Sequence, residues 1–543
     1  MASTISPRVH KSKNARDLDS KILLHPAVIF AEIFAADFLL HARLLSLPYF
    51  WDEAGYYVAA ARDLLLTGSL IPQTTVSNAH PPLVMAWLAL WWKLIGFAPI
   101  VTRTAMIAAA AFALLGVFRL ARTVANVQVA IAATLCTAVY PVFFAQSSLA
   151  QVDLAAAGLT FWGIAAYVES RPIAIAIWFS LAVLTKETAI LAPAALGFLE
   201  VVKWVFPASF RSTEGNAPAG IKRMGSLAAP LIPLAIWYAY HYSRTGFVFG
   251  NPEFFRYNVS ATMNPIRFLL ALVLRLWQMF GYMHLWILTL GMIGAMFLAP
   301  RKDHGEQRRR IAVSVQIVFS AVIAVYVIAM AAIGGAVLAR YMLPAVPLVI
   351  ILAVSTLWRR LRFWPFAVGV VAMAFVAGWF WNPPYGFSPE DNLAYRDFIQ
   401  LHQEAEHALE TRYPNARVLT AWPASDELTQ PWLGYSSRPM KIFRIEDFSA
   451  DNIFSAAELR SKYDVALVFS TKYEPPHPIL ERWATWQRLK KRFFNFHRDL
   501  PPAAIAQILN GKIVFAARRD GLWIAVIAMQ PQDEIQDAQL TDR

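Results

Sequence analysis

The sequence predicts an α-helical polytopic membrane protein with about eleven transmembrane helices and a C-terminal external α/β domain. Three observations carry that prediction. Hydrophobic residues make up 57% of the 543 residues, mean hydropathy is +0.43, and apolar runs of about 17 to 25 residues, the length that matches a bilayer, recur along the chain. The recurrence ends near Trp381, after which charges are scattered and apolar runs shrink to strand length. Charge divides at the same place. Residues 382–543 hold 19 Lys+Arg and 21 Asp+Glu of the 49 and 36 in the whole chain, which leaves 30 basic against 15 acidic side chains before them. The basic balance is thus a signature of membrane-flanking loops and gives no argument for nucleic acid. The single cysteine, Cys136, lies in an apolar run, which excludes a disulfide framework and a cysteine metal site.

In chain order, residues 1–21 form a polar, basic tail with no small-residue cleavage signal after the apolar run that follows, as expected of a cytoplasmic tail and an uncleaved anchor. Spans are expected near residues 22–47, 100–120, 127–148, 154–170, 172–186, 188–205, 226–242, 278–299, 311–333, 341–357 and 363–381, making 22–381 the membrane domain. The run 83–97 opens at Pro81-Pro82, carries Lys93 and is short for a span, so it is expected to lie along the surface or to be re-entrant. Parity agrees: with the N-terminus inside, the basic clusters at Arg119/Arg122, Arg171, Lys203 to Arg223, Arg301 to Arg310 and Arg359 to Arg362 fall on the cytoplasmic side. Residues 382–543 are then external. There, helical patterns at about 389–412, 455–462 and 479–491 alternate with strand-like RVLTAW, DVALVFS and KIVFAA, the last pairing with LWIAVIAM across Asp520-Gly521.

The first external loop, about residues 48–82, holds most of the chemical signal. Its WDEAGYY places Asp52 and Glu53 beside the bilayer, where acids are costly to keep dry and mark functional sites. Two readings stand for Asp52: an N-cap of YYVAAARDLLLTG, or a base held on a rigid element. His80, before Pro81-Pro82, is either a turn residue or a donor to a phosphate. Asp153 opens the fourth span on the same expected face as Asp52, where it also fits an N-cap. Lys186 and Glu187 sit side by side in LTKETAI; adjacent residues on a helix do not face each other, so separate partners are expected. Arg340-Tyr341, at an external span end, reads as an interfacial anchor. Arg244, Arg256, Arg267 and Arg275 crowd an external stretch, against the positive-inside bias, and guanidinium groups suit phosphate. Asp37 and His41, four apart in the first span, are expected to pair inside the bundle. His402 and Glu406 share the same spacing but no zincin motif, and a solvated helix face is expected. No P-loop and no GxGxxG occurs.

Read together, WDEAGYY, AARDLLLTGSLI, AHPPL, Thr102-Arg103, QVDLA, LTKETA and RYMLPAVP are similar in order and spacing to the protein O-mannosyltransferase and lipid A aminoarabinose transferase superfamily of GT-C integral-membrane glycosyltransferases. The resemblance covers roughly residues 45–350. It implies a polyprenyl-phosphate sugar donor, an external active site, and a first-loop acid, here Asp52, as general base with Glu53 beside it. It also carries Asp153 over as the acid of the second external loop, Lys186/Glu187 as the charged pair of the third, and Arg340-Tyr341 as a motif near the donor phosphate. His80 stands at a phosphate-contacting position, and Arg103 is a supporting residue.

The leaving group agrees with that reading. A phosphate departs as a stable anion, so one carboxylate to take the acceptor's proton and cations to hold the phosphate suffice, without the general acid that glycoside hydrolysis needs. The expected activity is transfer, with inversion, of a hexosyl or pentosyl unit to an external glycan, lipid or protein hydroxyl in the cell envelope, at a bacterial inner membrane. The alternative is a transporter or flippase of a lipid-linked substrate. Such proteins place polar residues near midmembrane and often show repeated halves, whereas these candidates cluster at one face and no repeat is visible. A divalent ion is an open expectation: Asp52, Glu53, His80 and Asp153 are hard or borderline ligands, but no spacing among them compels one.

Overall fold

The computed structural model describes residues 25–206, 220–250, 262–303, 305–475 and 482–530. The expected N-terminal tail and Arg256 lie outside these residues.

The helical part comprises α1 (Pro26–Leu40), a π-helical turn (Glu53–Tyr57), α2 (Val58–Thr67), α3 (Leu83–Ile95), α4 (Pro99–Val124), α5 (Val127–Val139), α6 (Pro141–Ser148), α7 (Val152–Val168), α8 (Pro172–Thr185), α9 (Leu191–Val205), α10 (Ile221–Ala228), α11 (Leu231–Thr245), α12 (Pro265–Phe280), α13 (Leu285–Met296), α14 (Val313–Ala332), α15 (Val346–Arg360) and α16 (Trp364–Phe380). Among the described residues, four helices are long and apolar enough to cross a membrane: Pro99–Val124, Glu187–Val205, Pro265–Met296 and Val313–Ala332. A fifth is added if α5 and α6, bent by 69° where Pro141 interrupts the helix, count as one span. Other runs read as spans, such as 172–186, form helices too short to cross a bilayer alone. The run 83–97 is likewise a short apolar helix, α3.

The 26-residue α4 is the central strut, about 39 Å long at the usual helical rise. It packs on α7 through small residues: a Cβ built on Gly158 would lie 2.6 Å from Ala113 Cβ. In α1, His41 Nδ1 stands 3.3 Å from Asp37 Oδ1, while its Nε2 lies 3.0 Å from the Phe144 carbonyl. That pair faces the bundle, as its spacing predicts.

One stretch departs from expectation. Residues 265–277, expected to be external because they lie between the spans at 226–242 and 278–299, form the greater part of α12. Arg267 and Arg275 lie eight residues apart, two helical turns, and both are buried. Arg267 donates to the Gly334 carbonyl at 2.7 Å, and Arg275 to those of Met330 and Leu338 at 3.1 and 2.7 Å. These guanidinium groups cap exposed carbonyls of the segment that leads to Arg340, so their charge does not mark a loop.

After α16 the chain builds an α/β unit from α17 (Ala394–Arg412), β3 (Arg417–Thr420), α18 (Ala424–Thr429), β4 (Lys441–Arg444), α19 (Ala450–Glu458), β5 (Val465–Phe469), α20 (Ala484–Phe494), α21 (Pro502–Ile508), β6 (Gly511–Arg519) and β7 (Leu522–Met529). A two-residue pair, β1 (Lys302–Asp303) with β2 (Glu306–Gln307), sits earlier in the chain. The five-stranded sheet has the order β4-β3-β5-β7-β6, parallel from β4 to β5 and antiparallel from β5 to β6. Every residue of β5 is buried, as a central strand covered on both faces should be. The unit is seated on the bundle through aromatic rings: Phe50 meets Phe398 edge-on at 5.3 Å, Trp51 meets Trp422 at 5.2 Å, and the Tyr435 hydroxyl donates to the Tyr49 carbonyl at 2.9 Å.

Candidate active site at the mouth of the bundle

The WDEAGYY segment turns abruptly, with Trp51 at φ 43° and the π-helical turn beginning at Glu53. Both features are uncommon and cluster at functional sites. Adjacent residues on a helix diverge, so the two acids part company. Glu53 is fully buried, accepts from the Phe50 and Ala150 backbone N–H groups at 2.8 and 2.5 Å, and pairs with Arg103. Arg103 in turn donates to the Pro48 and Ser148 carbonyls at 2.7 and 2.8 Å. Glu53 and Arg103 thus fasten the loop to the start of α7. Glu53, grouped by sequence with the catalytic acids, has no access to the cavity described below.

Asp52 points the other way. It sits at the head of the π-helical turn but makes no capping hydrogen bond, which sets aside the N-cap reading. Its Oδ2 accepts from Arg340 Nη2 at 2.5 Å, its side chain is 20% exposed, and its Oδ1 receives no hydrogen bond from the described residues.

Arg340 organises the neighbourhood. Held in a short 3₁₀ turn (Ala339–Met342) and 3% exposed, it also donates to Gln151 Oε1 at 2.6 Å, pairs with Glu390, and lies 3.3 Å from Asp153 Oδ2. Asp153 takes the Lys186 ammonium at 2.5 Å, and that ammonium lies 4.1 Å from the centre of the Tyr341 ring. Glu187 instead holds His80 Nδ1 at 2.8 Å, so the adjacent Lys186 and Glu187 do take separate partners. The structure therefore brings Asp52, His80, Asp153, Lys186, Glu187, Arg340 and Tyr341 into one neighbourhood. Two departures matter. Lys186 and Arg340, read as phosphate ligands, are paired with carboxylates here, and Arg244 lies exposed beside Tyr240 rather than on the cavity wall.

The cavity has a volume of about 1880 Å³ and lies between the bundle and the α/β unit. Its floor includes Asp52, Tyr57, His80, Lys186 and Arg340; Val273, Leu274 and Trp277 of α12 give an apolar side; and Lys472, Trp483, Trp486, Lys490 and Arg498 of the α/β unit face them. Sequence reasoning missed Glu390 and Asp391. They follow the last apolar helix, and they carry the same signal as Asp52 and Glu53, an acidic pair at a membrane mouth, but were grouped with the soluble domain's charges. Asp391 accepts from the Tyr282 hydroxyl at 2.6 Å, and burial together with the Glu390 charge raises its carboxyl to about 8. Burial likewise raises Glu390, against the pull of Arg340. Burial lowers the Lys472 ammonium.

Arg340 holds one oxygen of Asp52, Arg103 pairs with Glu53, Glu187 with His80 and Lys186 with Asp153, and among the described residues these four do not form a cluster of converging ligand atoms.

With this geometry, similarity to known proteins can be placed. The sequence model of the dolichyl-phosphate-mannose-protein mannosyltransferase family matches residues 79–209, about a quarter of the chain. The structure resembles that of ArnT from Cupriavidus metallidurans bound to undecaprenyl phosphate, with a TM-score of 0.52 at 14% identity over 93% of this chain and 99% of that one. The apo state of the same protein gives 0.52 at 15% identity over 94% and 100%. The chain has the GT-C fold. An Archaeoglobus fulgidus oligosaccharyltransferase is more distant, at 11% identity and a TM-score of 0.43 over 81% of this chain and 67% of that one. No curated protein matches in sequence. The GT-C likeness extends over the α/β unit as well as the bundle, since the ArnT alignment leaves little of either chain uncovered. The matched family segment holds His80, Arg103, Asp153, Lys186 and Glu187 but begins after Asp52.

Proposed function

We propose that this protein is a membrane glycosyltransferase that moves a sugar from a polyprenyl-phosphate donor to a hydroxyl of a second substrate, with Asp52 as the general base. The observation that carries the proposal is the state of that carboxylate: one oxygen fixed by Arg340, the other unclaimed, at the floor of a large cavity with an apolar side and a basic, aromatic side. A base must have a free lone pair at a fixed position, and Asp52 meets both conditions. In the reaction, the acceptor oxygen forms a bond to the anomeric carbon as the bond from that carbon to the phosphate oxygen breaks. The acceptor's proton passes to Asp52 Oδ1, and the lipid phosphate leaves with the electron pair. Attack opposite the leaving group inverts the anomeric centre.

Arg340 has two tasks in this scheme. Before reaction its guanidinium holds the Asp52 carboxylate in place; as Asp52 takes the proton, its claim on the guanidinium weakens while the phosphate gains charge. The same cation then stabilises the leaving group, assisted by Lys186, His80 and Tyr341. Val273, Leu274 and Trp277 suit the lipid end of the donor. The likeness to ArnT, solved with undecaprenyl phosphate, supports a polyprenyl-phosphate carrier.

The test is transfer by purified protein from polyprenyl-phosphate hexoses and pentoses to acceptors extracted from the cell envelope. Asp52→Asn should lower transfer by about 10²- to 10⁴-fold and leave folding intact; transfer near the wild-type rate overturns the assignment of the base. Mass spectrometry of glycans and lipids from a deletion strain should reveal the missing sugar and so name donor and acceptor.

A further inference from the structure

The second cluster of titratable groups lies behind the cavity, inside the α/β unit. His402 and Glu406 are one helical turn apart on α17, and Glu427 comes from α18. A solvated face is expected for His402 and Glu406, yet all three residues are buried, at 1%, 0% and 0% exposure. The reason is that α18 and the residues after it cover this face of α17, with Ser436 hydrogen-bonded to the Glu427 carbonyl at 3.1 Å and Phe398 stacked on the His402 ring at 4.0 Å.

One ligand atom from each of the three residues lies within 4.8 Å of the others. His402 Nδ1 is 2.6 Å from Glu427 Oε2, but His402 Nε2, Glu427 Oε1 and both oxygens of Glu406 have no hydrogen-bond partner. Among the described residues no Lys or Arg pairs with either carboxylate. Two buried acids without a cation are strongly unfavourable, and either a proton between them or a bound ion relieves this. A shared proton needs only the two carboxyls. An imidazole converging with them makes a mixed nitrogen and oxygen donor set, which suits zinc-class ions better than calcium or magnesium.

We propose that His402, Glu406 and Glu427 bind one divalent transition-metal ion of the zinc class, tying α17 to α18. An ion seated among them would open the His402–Glu427 contact to roughly 3.3 Å, the spacing of neighbours in a tetrahedral shell with ligands at about 2.0 Å. The two elements it joins carry the rings that hold the Asp52 loop: Phe398 of α17 lies 5.4 Å from Trp51, and Trp422, just before α18, lies 5.2 Å from it. Trp422 also covers Gly55, where an added Cβ would fall 2.5 Å from the indole. The ion's task is therefore structural, and it enters as the unit folds. It supplies no step of the proposed transfer and is independent of that proposal.

The experiment uses purified full-length protein. Elemental analysis should find about one zinc per chain, as a folding-coupled site requires, retained in Asp52→Asn and His80→Ala and lost in Glu406→Gln. Protein produced with Co²⁺ should show d–d absorption, and His402→Cys should add thiolate-to-cobalt charge-transfer bands in the near ultraviolet. Those bands require a ligand at position 402 and cannot arise from a packing role. A wild-type protein that holds neither Zn²⁺ nor Co²⁺ overturns the proposal in favour of a shared proton. So does metal retained in Glu406→Gln, or His402→Cys protein that binds Co²⁺ without the new bands.

Discussion

Two ion pairs sit one residue apart in the chain and teach opposite lessons. Around Glu53, the Arg103 guanidinium, two backbone N–H groups and two carbonyls make a dry, closely tied set. Around Asp52, one guanidinium is shared among three carboxylates, and one oxygen of the most exposed of them is left without a partner. The first arrangement is a fastener, whereas the second retains capacity to bind a proton or a substrate. Cost alone does not separate the two acids, since both are expensive beside a bilayer; the number of unclaimed lone pairs does.

The contrast is best broken by isosteric amides. Asp52→Asn should lower kcat by about 10²- to 10⁴-fold, the range of a lost general base, with the melting temperature little changed. Loss of fold in this variant would collapse the distinction. Glu53→Gln should do the reverse by leaving Arg103 buried without its counter-charge, at about 3–5 kcal/mol of stability, read from thermal unfolding and yield. Glu53→Gln combined with Arg103→Met should recover part of that loss.

Two smaller effects sharpen the comparison. Arg340→Lys retains the charge but not the fork that reaches Asp52, Gln151 and Glu390 together, so kcat should fall about tenfold, by some 1.4 kcal/mol, with folding preserved. Asp391 provides a pH test. Its folded value, about 8, lies above the ordinary carboxylate value, so the native state binds more protons than the unfolded one across the interval between them. Its contribution to stability is present in full below the unfolded value and is lost as pH rises through the folded one. Melting temperature should therefore decline over that range, and Asp391→Asn should flatten the decline.

Much of the fold was legible because its signals are local. Apolar runs, prolines at helix starts, and the Asp520-Gly521 turn between β6 and β7 read directly from neighbouring residues. Asp52, His80, Asp153, Lys186 and Arg340 were also recognisable, through their motifs and their common expected face. What escaped depends on contacts distant in sequence. Nothing near Glu53 announces Arg103 as its partner, fifty residues on. Arg267 and Arg275 look like loop charges until the carbonyls of 330–338 are brought beside them. Glu390 was hidden by averaging, since a two-residue acidic pair disappears among the charges of the domain that follows. His402 and Glu406 looked solvated because the helix that covers them is supplied by a later segment.

The pairing of Arg340 with Glu390 also fixes an order of events during biosynthesis. The membrane helices leave the ribosome before the segment that carries Glu390 and well before Trp422 and the rings that press on Gly55. A nascent chain inserted as far as α16 has Asp52 and Arg340 in hand but lacks one of the acids that divide the guanidinium and the far wall of the cavity. Competence for the proposed transfer thus waits on the α/β unit, and a chain stopped at α16 has no finished pocket.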